Sequence, residues 1–406
     1  VSSFDETPSA SAARVGIEHA NIRITADRET KNSDGSARHE VDVTYDIVYK
    51  DGTTNKDAKQ TLVTGSTLGT CATPTNSTAW RYLGNQKVIR AVIQARNIDT
   101  VATSIVSGLP ISETYRREIR IDVRDPGKVA TYVVVSGPGP AAGDGKPFSW
   151  KMISPRILRD DPLLAGKVGN ASYRDTDGFY SCSVSSSAVT VAELANCANP
   201  GAVYNTWGST ATVVPGSATT TLANLTDTDT RFEKQGWVAG GTYTFAVYAD
   251  DGWKTVNGQA GKTPIATYTA TLNQLPYKLV DMAASGSYPK LVSSTLSASA
   301  IAAAFTGSGG TATVSFSAGK APSGGLPLAL NDVYAYQQGT NVGAAAGSSW
   351  PRTRQIEIFY PGLLATSATL AIKGKHPNTV ATSYGEITVE YQDRKNGWVL
   401  LLNAFQ

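Results

Sequence analysis

Histidine and cysteine are scarce in this 406-residue chain, three of each, and methionine is scarcer still at two. His19, His39 and His376 fall in three separate stretches, which argues against a serine or cysteine triad. No Cys-x-x-Cys or clustered Cys/His spacing occurs, so a zinc site is not expected. His39-Glu40 lacks the second histidine of a zinc-protease helix, and Gly-x-Ser-x-Gly is absent. Charge is also sparse: Asp, Glu, Lys and Arg make up 17% of the residues and the formal net charge is +3. That leaves no basic field for gripping phosphates, so nucleic-acid binding is not expected. No run of about 20 apolar residues is present, so no segment reads as a transmembrane helix.

The three cysteines divide unevenly. Cys182 and Cys197 would close a loop of about 15 residues, worth roughly 3 kcal/mol in the chain-entropy model. An oxidising compartment would permit that disulfide. Cys71 is left over, either as a buried thiol or as an intermolecular or reactive one. The chain begins at Val1, so an export signal is expected to have been removed. A lipidated cysteine upstream of Val1 would fit the same picture.

What is present is β-pattern. An alternating strand runs into an acidic or glycine turn three times. The three are Glu118-Ile-Arg-Ile-Asp-Val-Arg-Asp-Pro-Gly127, Thr244-Phe-Ala-Val-Tyr-Ala-Asp-Asp-Gly-Trp253 and Glu386-Ile-Thr-Val-Glu-Tyr-Gln-Asp393. At 406 residues the chain suits about three units of roughly 130 residues, each burying its own core. The fold expected is therefore all-β: three tandem immunoglobulin-like sandwiches with minor short helices, over residues 1–139, 140–275 and 276–406. Residues 136–147, rich in Gly and Pro, read as the first linker. Thr190-Val-Ala-Glu193 has the spacing of a capping box, so a short helix is expected before Cys197. The third unit is pale, with 15 charged residues against 33 in the first. Either a Ser/Thr/Gly surface or a covered subunit interface accounts for that.

Gly240-Gly-Thr-Tyr-Thr-Phe-Ala-Val-Tyr-Ala249 resembles the penultimate strand of fibronectin type III and related immunoglobulin-like domains. The resemblance implies that Tyr243 is a tyrosine corner, its hydroxyl bonding nearby backbone while Phe245 and Val247 enter the core. The arrangement as a whole resembles tandem modules of bacterial cell-surface proteins, a structural and adhesive class without shared chemistry.

The remaining motifs are weak. Gly261-Lys262-Thr263 lacks the earlier glycine of a phosphate loop, since Val256 stands there. Asp175, Asp177, Asp227 and Asp229 could supply oxygens to calcium, the one cofactor considered. Trp207, Trp253 and Trp350 have loop-like surroundings and are candidates for stacking on a sugar. Paired acids such as Asp250 and Asp251 sit beside turn residues, where Asp is favoured for local backbone bonding. The reading that follows is an exported, extracellular or cell-surface structural or adhesive subunit, associating with itself or with neighbouring surface proteins, and not an enzyme. A carbohydrate- or ligand-binding surface lipoprotein is the alternative, and a secreted two-carboxylate glycoside hydrolase is the second.

Overall fold

The computed structural model describes residues 18–31, 37–48, 54–63, 81–82, 88–125, 127–139, 148–154, 157, 179–181, 202–205, 220–254, 258–342, 352–362, 364–377 and 379–406. It is mostly β-strand with three short α-helices among those residues, in keeping with an all-β, sandwich-like fold. The chain divides into two compact units, residues 1–87 and 88–406.

The first unit holds one antiparallel sheet in the order β1-β2-β3-β4. Its strands are β1 (Glu18–Lys31), β2 (Ala37–Val48), β3 (Thr54–Val63) and β4 (Arg81–Tyr82). In β2 the valines of Val41-Asp-Val alternate with acids, so Val41 and Val43 are buried while Asp42 faces Arg28 at 2.5 Å.

The second unit begins with β5 (Arg90–Thr103), β6 (Pro110–Arg124), β7 (Tyr132–Gly137), β8 (Phe148–Ile153), β9 (Tyr180–Ser181) and β10 (Ala202–Asn205). Helix α1 (Leu225–Glu233) follows, then β11 (Gly241–Tyr248), β12 (Ala266–Leu272), α2 (Leu279–Ala284), β13 (Leu291–Ser294) and α3 (Ala298–Thr306). The last strands are β14 (Gly309–Phe316), β15 (Ala329–Asn341), β16 (Arg352–Phe359), β17 (Ser367–Lys373), β18 (Thr379–Gln392) and β19 (Gly397–Phe405). They form a seven-stranded sheet in the order β10-β6-β5-β19-β18-β15-β16, a five-stranded sheet β12-β11-β7-β8-β9 and a three-stranded sheet β13-β14-β17.

Strands β5 and β6 run long enough to serve two cores with one face. Ile93, Ala95, Ile119, Ile121 and Val123 pack with Val133, Val135, Met152, Tyr243, Phe245 and Val247 of the five-stranded sheet. Further along, Val101 and Tyr115 join the second core. There Val314, Phe316, Leu370 and Ile372 of the small sheet meet Val333, Ile387, Val389, Val399 and Leu401. Because side chains alternate faces, all the β5 and β6 residues named here have odd numbers. Helix α3 closes the second core with Ile301, Ala304 and Phe305, spaced three and four apart, after Ser297 accepts from the Ala300 amide as its N-cap. Each large apolar side chain buried in this way contributes about 1.5–3 kcal/mol.

The strand order does not follow the three consecutive blocks expected from the recurring motif. Strand β5, assigned to the first block, pairs in parallel with β19 of the last, from Ala95 opposite Gly397 to Thr103 opposite Phe405. The reason is in β19: Val399, Leu400 and Leu401 are all buried, so both faces of this strand are apolar, and such a strand belongs in the middle of a sheet. The division between units likewise falls at residues 87 and 88, not near 139 and 275. Residues 136 and 137 of the expected linker belong to a hairpin, with Gly137 opposite Phe148 across β7 and β8. The capping-box helix at residues 190–193 lies outside the described residues.

Candidate functional site

The even-numbered face of the seven-stranded sheet carries charge where the other carries core. In β6, Arg116, Glu118, Arg120, Asp122 and Arg124 recur at every second position, so strand geometry puts them on one face. Register sets Glu118 opposite Arg96 of β5, and Arg96 Nη1 lies 3.1 Å from Glu118 Oε1 while Arg116 Nε lies 3.2 Å from Glu118 Oε2. Glu118 is almost wholly buried, so two guanidinium groups balance one desolvated carboxylate.

Beyond β19 the same face continues with acids and tyrosines. Asp332 stands opposite Glu390, Tyr334 opposite Thr388 and Tyr336 opposite Glu386. Burial, and then the neighbouring charge of Glu390, push the Asp332 carboxyl up to about 8. Burial also raises Glu390, opposed by the nearby Arg96 and Arg120 and by a 3.3 Å hydrogen bond donated by the Tyr334 hydroxyl. Glu386 is raised by burial too, although Tyr384 and Thr388 donate hydrogen bonds to it. On the basic side, burial and then repulsion from Arg96 lower the guanidinium of Arg120.

Between the two halves of this face lies a depression of about 160 Å³ lined by Arg90, Val92, Gln94, Arg96, Arg120, Asp122, Glu390 and Trp398. Three arginines against two acids leave it one positive charge in excess. Its volume is below the range of roughly 300–1,000 Å³ typical of enclosed small-molecule pockets. The arginine forks can engage carboxylate or phosphate oxygens, and the Trp398 ring offers a stacking surface.

At its far end this face becomes apolar and open. Strand β16 hydrogen-bonds to β15 on one side only among the described residues. Ile356 and Ile358 lie opposite Tyr336 and Tyr334 and are 46% and 42% exposed, and Phe359 and Tyr360 continue the exposed run. A second apolar projection is the β5–β6 turn, where Val106 is 93% exposed and Leu109 and Ile111 are also exposed. That turn is well built: the Ser104 amide donates to the Leu109 carbonyl at 2.9 Å, and Gly108 supplies the positive φ of 71°.

The sequence candidates land elsewhere. Asp227 and Asp229 lie on helix α1 and not in a turn. Asp227 pairs with Arg231 at 2.8 Å one helical turn on. Asp229 is buried and accepts from Arg117 Nη1 at 3.1 Å and from the Leu279 and Val280 amides at 2.9 and 3.1 Å, which occupies both of its oxygens. Among the described residues no three His, Cys, Asp or Glu side chains converge on one point. Trp253 sits in a short 3₁₀ turn and is only 4% exposed, so it is a core ring and not an open stacking platform. Asp250 accepts from Tyr132 Oη, the Gly252 amide and Lys262 Nζ, a turn role in line with its composition. Tyr243 is buried and its hydroxyl donates to a backbone carbonyl, but that carbonyl is Pro138 on the neighbouring strand segment, 105 residues away. Cys71, Cys182, Cys197, Asp175, Asp177, Trp207 and Trp350 lie outside the described residues.

The charged face was missed although its signal was present. The every-second-residue charge of β6 is visible in the sequence, but nothing local says that β18 and β15 will present acids to the same side. No family model matches the chain, and comparison with curated protein sequences finds no match. No helix among the described residues is long and apolar enough to cross a membrane.

Proposed function

We propose that this chain is an exported structural subunit of an extracellular assembly, without catalytic activity, that joins copies of itself through its strand edges and apolar projections. The observation that carries the reading is β16: a strand bonded on one side among the described residues and bearing exposed Ile356, Ile358 and Phe359. An open edge offers unpaired amides and carbonyls to another strand, and natural monomers usually blunt such edges with charge, proline or a bulge. Here Ile356, Ile358 and Phe359 are exposed and the one acid among them, Glu357, is paired with Lys373 at 2.7 Å, which favours a second copy of the same surface type as the occupant. The scarcity of charge in residues 276–406 supports the same reading.

Sedimentation velocity of the full chain across a wide concentration range, with negative-stain microscopy of the same samples, tests it. Species larger than the monomer should grow with concentration, and Ile358→Lys should return the protein to monomers with an unchanged circular dichroism spectrum. A wild-type chain that stays monomeric at every concentration, salt level and calcium level overturns the proposal.

The depression around Trp398 favours carbohydrate or small-ligand binding as the second reading, because it combines an aromatic face with guanidinium forks and carboxylates. Its volume suits one edge of a sugar, and its excess positive charge favours an acidic one. A monomeric protein that binds a glycan array, and loses that binding in Trp398→Ala, would establish it over the assembly.

A further inference from the structure

The charged face of the seven-stranded sheet holds a guanidinium that nothing answers. Among the described residues Arg120 makes no ion pair or hydrogen bond, and its Nε is shut away from water with no acceptor in reach. Register sets it opposite Gln94, and both line the depression beside Glu390 and Trp398. Arg96, only 8% exposed and lining the same depression, has Nη1 on Glu118 but leaves its own Nε buried and unpartnered. Buried donors without acceptors are costly, so this arrangement is short of an oxyanion.

A fixed aromatic ring stands beside those donors. Trp398 is opposite Arg96 across β19 and β5. Its Nε1 donates to Asn396 Oδ1 at 2.8 Å, and the same oxygen accepts from Gln392 Nε2 at 2.6 Å, so the indole is anchored by the turn before β19. Such a face suits the C–H groups of a pyranose ring. Glu390 completes the depression. It accepts from the Tyr334 hydroxyl at Oε1 and feels Arg96 of β5, Arg120 of β6 and Asp332 opposite it on β15. Its own strand adds Glu386, and β19 carries no charged residue.

Building on the carbohydrate reading, we propose that the depression takes a hexuronate together with one proton: the ring lies on Trp398, the carboxylate meets Arg120 and the Arg96 Nε, and Glu390 holds the proton and donates it in a hydrogen bond to that carboxylate. The proton comes from solvent, and no other bond is made or broken. Two carboxylates side by side resist carrying charge together, so the arriving ligand raises Glu390, which burial has raised already. Asp332, raised to about 8, is neutral at about pH 7 and does not account for the uptake there. Three arginines against Asp122 and Glu390 leave one positive charge, and protonation of Glu390 makes it two. Because the complex holds the extra proton, affinity is greatest at low pH and falls as pH rises through the free-site value of Glu390.

Isothermal titration calorimetry of the full chain with D-glucuronate and with D-glucose, in buffers of different ionisation enthalpy, tests this. Glucuronate should bind more tightly than glucose and take up about one proton. Its affinity should fall between about pH 5 and about pH 8, by up to about tenfold per pH unit. Arg120→Gln should weaken glucuronate by at least about tenfold and leave glucose unchanged. Glu390→Gln, whose amide donates without titrating, should still bind but take up no proton, whereas Asp332→Asn should keep the wild-type uptake. Circular dichroism checks the fold of each variant, and the wild-type proton count and pH profile decide the matter if one of them does not fold. Equal affinity for the two sugars overturns the inference and leaves the carbohydrate reading standing, as does glucuronate binding without proton uptake. Binding of neither sugar overturns it too, and a blank glycan array then removes the carbohydrate reading with it.

Discussion

Arg117 and Asp229 meet at 3.1 Å between β6 and α1 with both side chains buried, and the same carboxylate takes the first two backbone amides of α2. One acid thus joins a strand, a helix and the start of a second helix. Its guanidinium partner also donates to the Pro276 carbonyl at 3.0 Å and stacks over Phe232 at 4.2 Å. Asp229→Ala would strand a buried guanidinium and uncap α2, so a loss of about 3–5 kcal/mol is expected. Urea unfolding monitored by tryptophan fluorescence measures it, and a loss below about 1 kcal/mol would mean that the pair is solvated.

Gly137 and Tyr243 form a second dependence. A Cβ at position 137 would come within 2.6 Å of the Tyr243 ring, so Gly137→Ala forces the ring to move. Overpacking of that kind costs about 1–3 kcal/mol. Tyr243→Phe keeps the ring and removes only the hydrogen bond to Pro138, for which about 1 kcal/mol is expected. Thermal unfolding of the two variants should rank Gly137→Ala as the more destabilised.

Asp332 makes stability depend on pH in an unusual sense. Its folded-state carboxyl is raised to about 8 by burial and by Glu390, whereas in the unfolded chain it titrates near the ordinary Asp value of 3.8. Between those values the folded state holds the extra proton, so stability is fully present below the lower one and falls as pH rises toward the upper. Wild-type denaturation midpoints should therefore decline from about pH 4 to about pH 8. In Asp332→Asn, which cannot ionise, the decline should be shallower, and identical pH profiles for the two proteins would count against the buried neutral acid.

The β5–β6 turn gives a test of assembly that leaves the fold alone. Val106 is almost fully exposed, so Val106→Asp should change stability by no more than about 0.5 kcal/mol. If the projection is part of the self-association surface, the variant should need a higher concentration to form the same species in sedimentation. Unchanged association would confine the interface to strand edges such as β16.

Much of the strand content was legible because alternation is a local property. The three recurring segments, residues 118–127, 244–253 and 386–393, each start inside a strand, β6, β11 and β18, and run past its end. The turn role of Asp250 was legible for the same reason. Helix α3 was not foreseen, although Ser297 ahead of an alanine-rich run carries the signal of a capped helix. Asp227 and Asp229, candidates for calcium oxygens in the sequence, fall on a helix, because the packing of Leu225 and Phe232 into the two cores overrides the preference of Asp beside Thr for turns.

Taken alone, the order of residues determined which stretches are strands, which face of each is apolar and that charge falls at every second position of β6, since period-two chemistry needs no distant partner. Partnership was decided only by the tertiary structure. Parallel β5–β19 pairing, the charged face assembled from β5, β6, β15 and β18, and the meeting of Lys290 with Asp99 all join residues far apart in the chain. Strand pairing is chosen by how the apolar faces of all the strands can be covered at once, and that is a property of the whole packed unit.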